Sequence, residues 1–235
     1  DSIVGGGGLI LTPAMLNLHP GLGILQTIAT QRTSSLLGTS VAAVNYFRHV
    51  TVERRIVVPA LFSALALSAI GVQFAKRIDP DQLKMVVLVV CVLLAVYTVM
   101  RKDLGTREER RYAPRAEAWA AAAVGGACGF YNGLIGPGTG TLMVFAFASV
   151  IGLDFLKSSA VSKSTNVAAD LSSWTVLAVG GFVQWTLAVP LIVGNMLGSY
   201  VGSRMAIRQG DRFIRMIFLA VVVALVARVG WGLLQ

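Results

Sequence analysis

The chain has 235 residues, of which 55% are apolar and only 13% charged, with a net charge of +9 and a mean hydropathy of +0.73. A soluble domain carries about 25% charged residues, so there are too few charges here to coat a water-facing globule. That excludes a soluble enzyme, a nucleic-acid module and a disordered segment. The charges are also clustered: residues 2–31, 56–75, 118–153 and 171–203 hold no Asp, Glu, Lys or Arg. A helix needs roughly 20 apolar residues to cross a bilayer. The fold class is therefore an all-α polytopic membrane protein whose principal partner is the lipid bilayer. Its excess of basic residues is explained by cytoplasmic loops, not by nucleic acid. Cys91 and Cys128 lie in apolar segments without a CxxC spacing or a His partner and read as packing residues. The opening Asp1-Ser2-Ile3 lacks the basic n-region of a signal peptide.

In chain order, a glycine cluster comes first, Gly5-Gly6-Gly7-Gly8, followed by an apolar arm containing Pro13. Clustered glycine and proline stop a helix, so this element is a break with a helical arm after it. A polar-rich helix follows over residues 29–48, then two ordinary membrane helices over 56–75 and 84–100. Residues 101–115 form a linker; counted to Glu117 it holds six basic and four acidic residues with Pro114. A second glycine-broken stretch runs from 116 through Ile135-Gly136-Pro137-Gly138-Thr139-Gly140 to about 153, long enough for two helical arms. A second polar-rich helix occupies 158–179, and further membrane helices occupy 186–205 and 212–231.

The two series are copies. At an offset of 131 residues, Gly5 falls on Gly136, Gly7 on Gly138, Arg32 on Lys163, Pro59 on Pro190 and Gly71 on Gly202. Repeat 1 is thus residues 1–100 and repeat 2 residues 116–235. Each is a glycine-broken helical hairpin plus three transmembrane helices. The arm expected before the first break would lie ahead of Asp1. Loop charge selects the relative orientation. If each copy crosses the membrane an odd number of times, 14 basic residues collect on the side of the linker and four on the other. Parallel copies would divide the charges almost evenly. The positive-inside rule favours the first arrangement, which predicts inverted repeats with the linker in the cytoplasm.

Inverted repeats with broken helices are a recurrent transporter design, with the substrate near the midplane between repeats. The arm after a break presents unpaired backbone N–H groups and a partial positive charge, which favour an anion. Gly5, Gly6, Gly7, Gly8, Gly136, Gly138, Thr139 and Gly140 are therefore candidates for substrate binding. The competing reading is that the glycines serve close helix packing. The polar helices supply Gln31, Arg32 and Thr33 from one copy and Ser162, Lys163 and Asn166 from the other. Ionisable residues inside a membrane are expensive and mark function by default. Two cations at equivalent positions, with hydroxyls and amides, suit a small oxyanion, unless they snorkel to an interface. Asp170 has Thr39 as its counterpart and shares a helical face with Lys163 and Asn166. It fits either a carboxylate that couples transport to a proton or other ion, or a fixed counter-ion for Lys163. His19 and His49 sit near segment ends. Trp119, Trp174, Trp185 and Trp231 read as interface anchors or packing. No HExxH, GxSxG or P-loop pattern occurs, so no catalytic residue, metal or cofactor is expected. A passive anion channel could use the same cations and amides and is the alternative to a carrier.

These motifs carry a family resemblance. The stretch from Gly5 through Leu9-Ile10-Leu11-Thr12-Pro13 resembles the opening motif of the TauE/SafE sulfite exporter family. So do Ala29 to Arg32, and the glycines of the second break with Ser162-Lys163 through Asn166. The resemblance covers the chain from Gly5 onward. It departs at Arg32, where the family usually shows Lys; this keeps the charge and changes its shape. The resemblance implies a multi-pass carrier of the bacterial inner membrane for small sulfur-containing or other organic anions, driven by an ion gradient.

Overall fold

The computed structural model describes residues 2, 5, 7–19, 21–79, 82, 108–136 and 138–233. Among the described residues every regular element is helical and none is a strand. Residues 84–100, expected to be a membrane helix, lie outside the described residues, as do Gly6 and Pro137.

In repeat 1, α1 spans Gly7–Leu18, α2 Ile24–His49 and α3 Arg54–Ala75. Helix α2 starts where the Gln26 side chain turns back to accept the Gly23 N–H at 3.2 Å, and stops where Val50 turns extended. In repeat 2, α4 spans Pro114–Leu134, with proline in its first turn where a missing N–H is harmless. Helix α5 spans Thr139–Ala146 and runs into a π-helical turn, Phe147–Ile151. Helix α6 spans Phe155–Val179, and its start is capped by Asp154, whose carboxylate accepts the Lys157 N–H at 2.6 Å. Helix α7 spans Trp185–Leu233. The loop expected near residues 206–211 is instead a break at one residue, Gly210 (φ 71°, ψ −163°), with helical hydrogen bonding on both sides. The expected two arms of the second broken element are α4 and α5, parted by Ile135 to Gly138, with Gly136 and Gly138 at φ of 88° and 85°. That left-handed backbone favours glycine.

Helices α3 and the Trp185–Gly210 part of α7 are long and apolar enough to cross a membrane, with mean hydropathies of 2.0 and 1.2. Their outward faces carry Phe62, Phe74, Val189, Val193, Leu197 and Val201, all exposed. The interior shows the opposite polarity. Helix α2 buries Thr27, Thr30, Gln31, Arg32, Thr33, Ser34 and Ser35, and α6 buries Ser158, Ser159, Ser162, Lys163, Thr165 and Asp170. In an apolar solvent these polar groups must find partners inside the protein, so the polar helices occupy the centre.

The two halves of the chain interlock. Helix α2 packs on α7, and its equivalent α6 packs on α3. Hydroxyls reach main-chain carbonyls across both contacts: Ser34 donates to Leu191 O at 2.8 Å, and Ser68 donates to Ala169 O at 2.8 Å. Helix α4 lies along α3 through a glycine seam. A Cβ added at Gly125 would sit 2.6 Å from Ala60 Cα, and one at Gly133 would sit 2.9 Å from the Val72 nitrogen. Such seams give the close backbone approach that drives helix association in lipid.

One end of the molecule is tied by ion pairs outside the apolar segments. Arg110 bridges Glu53 at 2.8 Å, Glu108 at 2.5 Å and the buried Glu117 at 2.5 Å, while Lys157 pairs with Glu108. The end of the linker is thereby joined to the starts of α3, α4 and α6. Partial burial alone would raise the Glu108 carboxyl, but hydrogen bonds from Lys157 and Arg110 outweigh it and hold it below the usual carboxylate range.

Candidate functional site

The two glycine breaks meet. Gly5 has φ 86°, and a Cβ built on it would fall 2.6 Å from the Gly140 carbonyl carbon and 2.9 Å from the Thr141 nitrogen. A Cβ on Gly140 would lie 2.7 Å from Gly5 Cα. No side chain fits at either residue, so the backbone of the first break rests directly on the first turn of α5.

Beside this contact lies the Arg32 side chain, 1% exposed, carried by the third turn of α2. Its guanidinium lies against Gly136, whose added Cβ would be 2.9 Å from Nη2 and 3.2 Å from Nε. Nη2 donates to the main-chain carbonyls of Asn132 and, at 3.3 Å, of Gly133. These belong to the last turn of α4, where carbonyls lack helical partners. Nε and Nη1 are buried and have no hydrogen-bond partner. Two unmatched N–H-bearing atoms on a buried cation are costly, at about 1–3 kcal/mol or more each, and they are the one feature here that a purely structural role for Arg32 does not explain.

A cavity of about 10 Å³ opens at this point. Among the expected residues, Gly5, Gly8, Gln31, Arg32, Gly136, Gly138, Gly140, Asn166 and Asp170 line it. It has room for roughly one water molecule and for no larger ion as it stands. Gly7, Thr33, Thr139, Ser162 and Lys163 do not line it, and Gly6 lies outside the described residues. Several of these brace the site from behind. Thr139 Oγ1 donates to Gly136 O at 2.6 Å, closing the turn between the arms, and Ser162 Oγ donates to Gly140 O at 3.2 Å, tying α6 to the break. Thr33 Oγ1 donates to Ala29 O and accepts the Trp174 indole N–H at 3.0 Å, which makes Trp174 an interhelical tie rather than an interface anchor. Lys163 is 1% exposed on α6 and within electrostatic reach of Asp170.

Two lining residues were absent from the expected set, Ser35 and Asn132. Both bond to Asp170. Its Oδ1 accepts Asn132 Nδ2 at 2.8 Å, and its Oδ2 accepts Ser35 Oγ at 3.1 Å and Asn166 Nδ2 at 3.2 Å. Asn132 could have been singled out as the lone carboxamide in the charge-free stretch between residues 118 and 135. Ser35 carried no such signal, being one more hydroxyl in a helix rich in them.

A buried cation with open donors, a carboxylate held by neutral donors and two touching helix breaks thus surround the cavity, with no nucleophile–base pair among its lining residues. Residues 1–229 match the family described as sulfite exporter TauE/SafE. The probable membrane transporter protein ORF9 of Sinorhizobium sp is 30% identical over 229 residues, covering 97% of this chain and 86% of that protein. The probable membrane transporter protein YfcA of Escherichia coli (strain K12) is 26% identical over 232 residues, covering 97% and 83%. A probable membrane transporter protein of Haemophilus influenzae is 28% identical over 215 residues, covering 92% and 83%. No solved structure gives a significant match. With a family match across nearly its whole length and relatives that are named as membrane transporters, not enzymes, this chain belongs to the sulfite exporter TauE/SafE family.

Proposed function

We propose that this membrane transporter carries a small oxyanion, a sulfur oxyanion or an organic sulfonate or carboxylate, across the bacterial inner membrane by alternating access. The observation that carries this reading is Arg32: a fully buried guanidinium whose Nε and Nη1 have no partner, at a cavity where two helix breaks meet. An oxyanion supplies the missing acceptors in the planar geometry that a guanidinium prefers. The backbone N–H groups of the α5 start, at Gly140 and Thr141, add the partial positive charge of a helix N-terminus. The family's own description, sulfite exporter, is in keeping with such a cargo.

The repeats run in opposite directions through the membrane, with residues 101–115 in the cytoplasm. The 14-to-four division of loop charge supports this, as does the reciprocal packing of α2 on α7 and of α6 on α3. The cavity is water-sized, so the breaks and the helices around them must part for an anion to enter. That favours a carrier over an open pore, with Asp170 balancing the buried cations. The test is flux into proteoliposomes that hold the purified protein. Uptake of sulfite, thiosulfate, sulfoacetate or acetate that saturates and responds to an imposed ion gradient supports the carrier. A non-saturating downhill conductance replaces it with an anion channel, and no flux of any of these ions refutes the anion site.

A further inference from the structure

Arg32 and Asp170 line the same cavity and lie within electrostatic reach of each other, yet no salt bridge joins them. Two opposite charges in a site of low dielectric would ordinarily close into a direct pair, and a carboxylate would occupy the guanidinium fork. Asn132 stands between them, 1% exposed in the last turn of α4. Its side-chain amide donates to Asp170 Oδ1 at 2.8 Å and to Asn166 Oδ1 at 3.3 Å. Its own side-chain carbonyl accepts Ser173 Oγ at 3.3 Å, so the amide is turned with its NH₂ toward the carboxylate. Its main-chain carbonyl accepts Arg32 Nη2. One residue thus holds the cation through its backbone and the anion through its side chain. With Ser35 and Asn166 on Oδ2, Asp170 has acceptor demand met on both oxygens by neutral donors and does not need Arg32.

We infer that Asn132 is a positioning residue that keeps Asp170 from pairing with Arg32, and so leaves Nε and Nη1 of Arg32 open for the transported anion. The inference rests on the anion site proposed above. It assigns Asp170 the part of a fixed counter-ion and makes the separation of the two charges a property of the α4 end. The breaks bring α4 and α2 together here, so any movement that shifts the last turn of α4 also changes how available Arg32 is. Ser35 and Asn166 hydrogen-bond Asp170, whereas Asn132 hydrogen-bonds both Asp170 and Arg32.

The test measures binding to the purified full chain by titration calorimetry. The probe is whichever of sulfite, thiosulfate, sulfoacetate and acetate the wild type binds most tightly. Asn132→Ala should let Asp170 compete for the guanidinium and weaken binding tenfold or more, about 1.4 kcal/mol. Removing the competitor as well, in Asn132→Ala/Asp170→Asn, should bring affinity back to within about threefold of Asp170→Asn alone, or roughly 0.7 kcal/mol. A merely structural asparagine would not be rescued in this way. If Asn132→Ala does not fold, Asn132→Ser takes its place: it is too short to reach Asp170, and the same loss and rescue are expected. Wild-type affinity in the single variant, or a double variant as weak as the single one, overturns the inference and leaves the anion site standing. An Arg32→Gln protein that binds the probe like wild type removes the anion site itself, and the inference with it.

Discussion

Arg32→Gln separates a binding cation from a helix-end clamp, because the two roles predict opposite balances of stability and affinity. In the folded protein the guanidinium donates from Nη2 to two carbonyls at the end of α4, while Nε and Nη1 are buried without partners. Truncation to glutamine loses the first contacts, at about 1.5–3 kcal/mol of net stability for each hydrogen bond from a charged group. It also relieves the burial of the unmatched donors, worth about 1–3 kcal/mol each in the other direction. The two effects offset, so the ligand-free variant should melt within a few degrees of wild type. Anion binding should behave differently, because glutamine removes a charge-assisted contact worth roughly 1.5–3 kcal/mol. That is about a 10- to 150-fold rise in Kd, since 1.4 kcal/mol is tenfold. Arg32→Lys keeps the charge without the fork and should fall between. The assay is a thermal-shift panel of sulfite, thiosulfate, sulfoacetate and acetate, followed by calorimetry on the best binder. A folded Arg32→Gln protein with wild-type affinity and a much lower melting temperature would show that the guanidinium only clamps α4, and the proposed site would be wrong.

Three further outcomes are expected. In a background without native cysteines, Tyr112→Cys near the linker end should label only from the cytoplasmic side and Asp79→Cys only from outside; labelling of both from one face refutes the inverted arrangement. Gly140→Ala places a methyl 2.7 Å from Gly5 Cα. Overpacking of that kind costs about 1–3 kcal/mol, so the variant should melt lower and lose transport, and a fully active variant would show that the breaks need not touch. Glu108, which is held below its ordinary range, contributes stability above the usual carboxylate pKa near 4.5 and loses it as pH falls through its lowered folded value. Glu108→Gln should therefore cost less than about 1 kcal/mol at pH 7, as expected for a screened, partly exposed pair, and should flatten the acid limb of the stability profile; an unchanged acid limb would refute the assignment.

The features legible in the sequence are those for which a membrane leaves few alternatives. An ionisable residue in an apolar stretch is too expensive to face lipid, so Arg32, Lys163 and Asp170 announced themselves. Glycine clusters at positions 5–8 and 136–140 marked breaks because a left-handed backbone and a backbone-on-backbone contact tolerate no Cβ. The less legible features depend on packing. The stretch over residues 206–211 reads as a loop, yet the helix before it runs on to a kink at Gly210, where the next helix begins, since a single glycine can redirect a helix without a connecting segment. The π-helical turn at Phe147–Ile151 adds no polar residue and leaves no periodic signal.

The site shows the same division most clearly in its two cations. The 131-residue repeat makes Arg32 and Lys163 equivalent, and both are 1% exposed, so equivalence in sequence did give equivalent burial. It did not give an equal place at the cavity, which Arg32 lines and Lys163 does not. Asp170, opposite Thr39 of the other copy, sits on the same helix as Lys163 and draws Ser35, Asn132 and Asn166 around itself. The guanidinium of Arg32, at the same cavity as that carboxylate, keeps two unmatched nitrogens. A duplicated unit supplies two polar helices and two breaks, and Asp170, which only one half of the chain carries, makes the surroundings of the two cations differ.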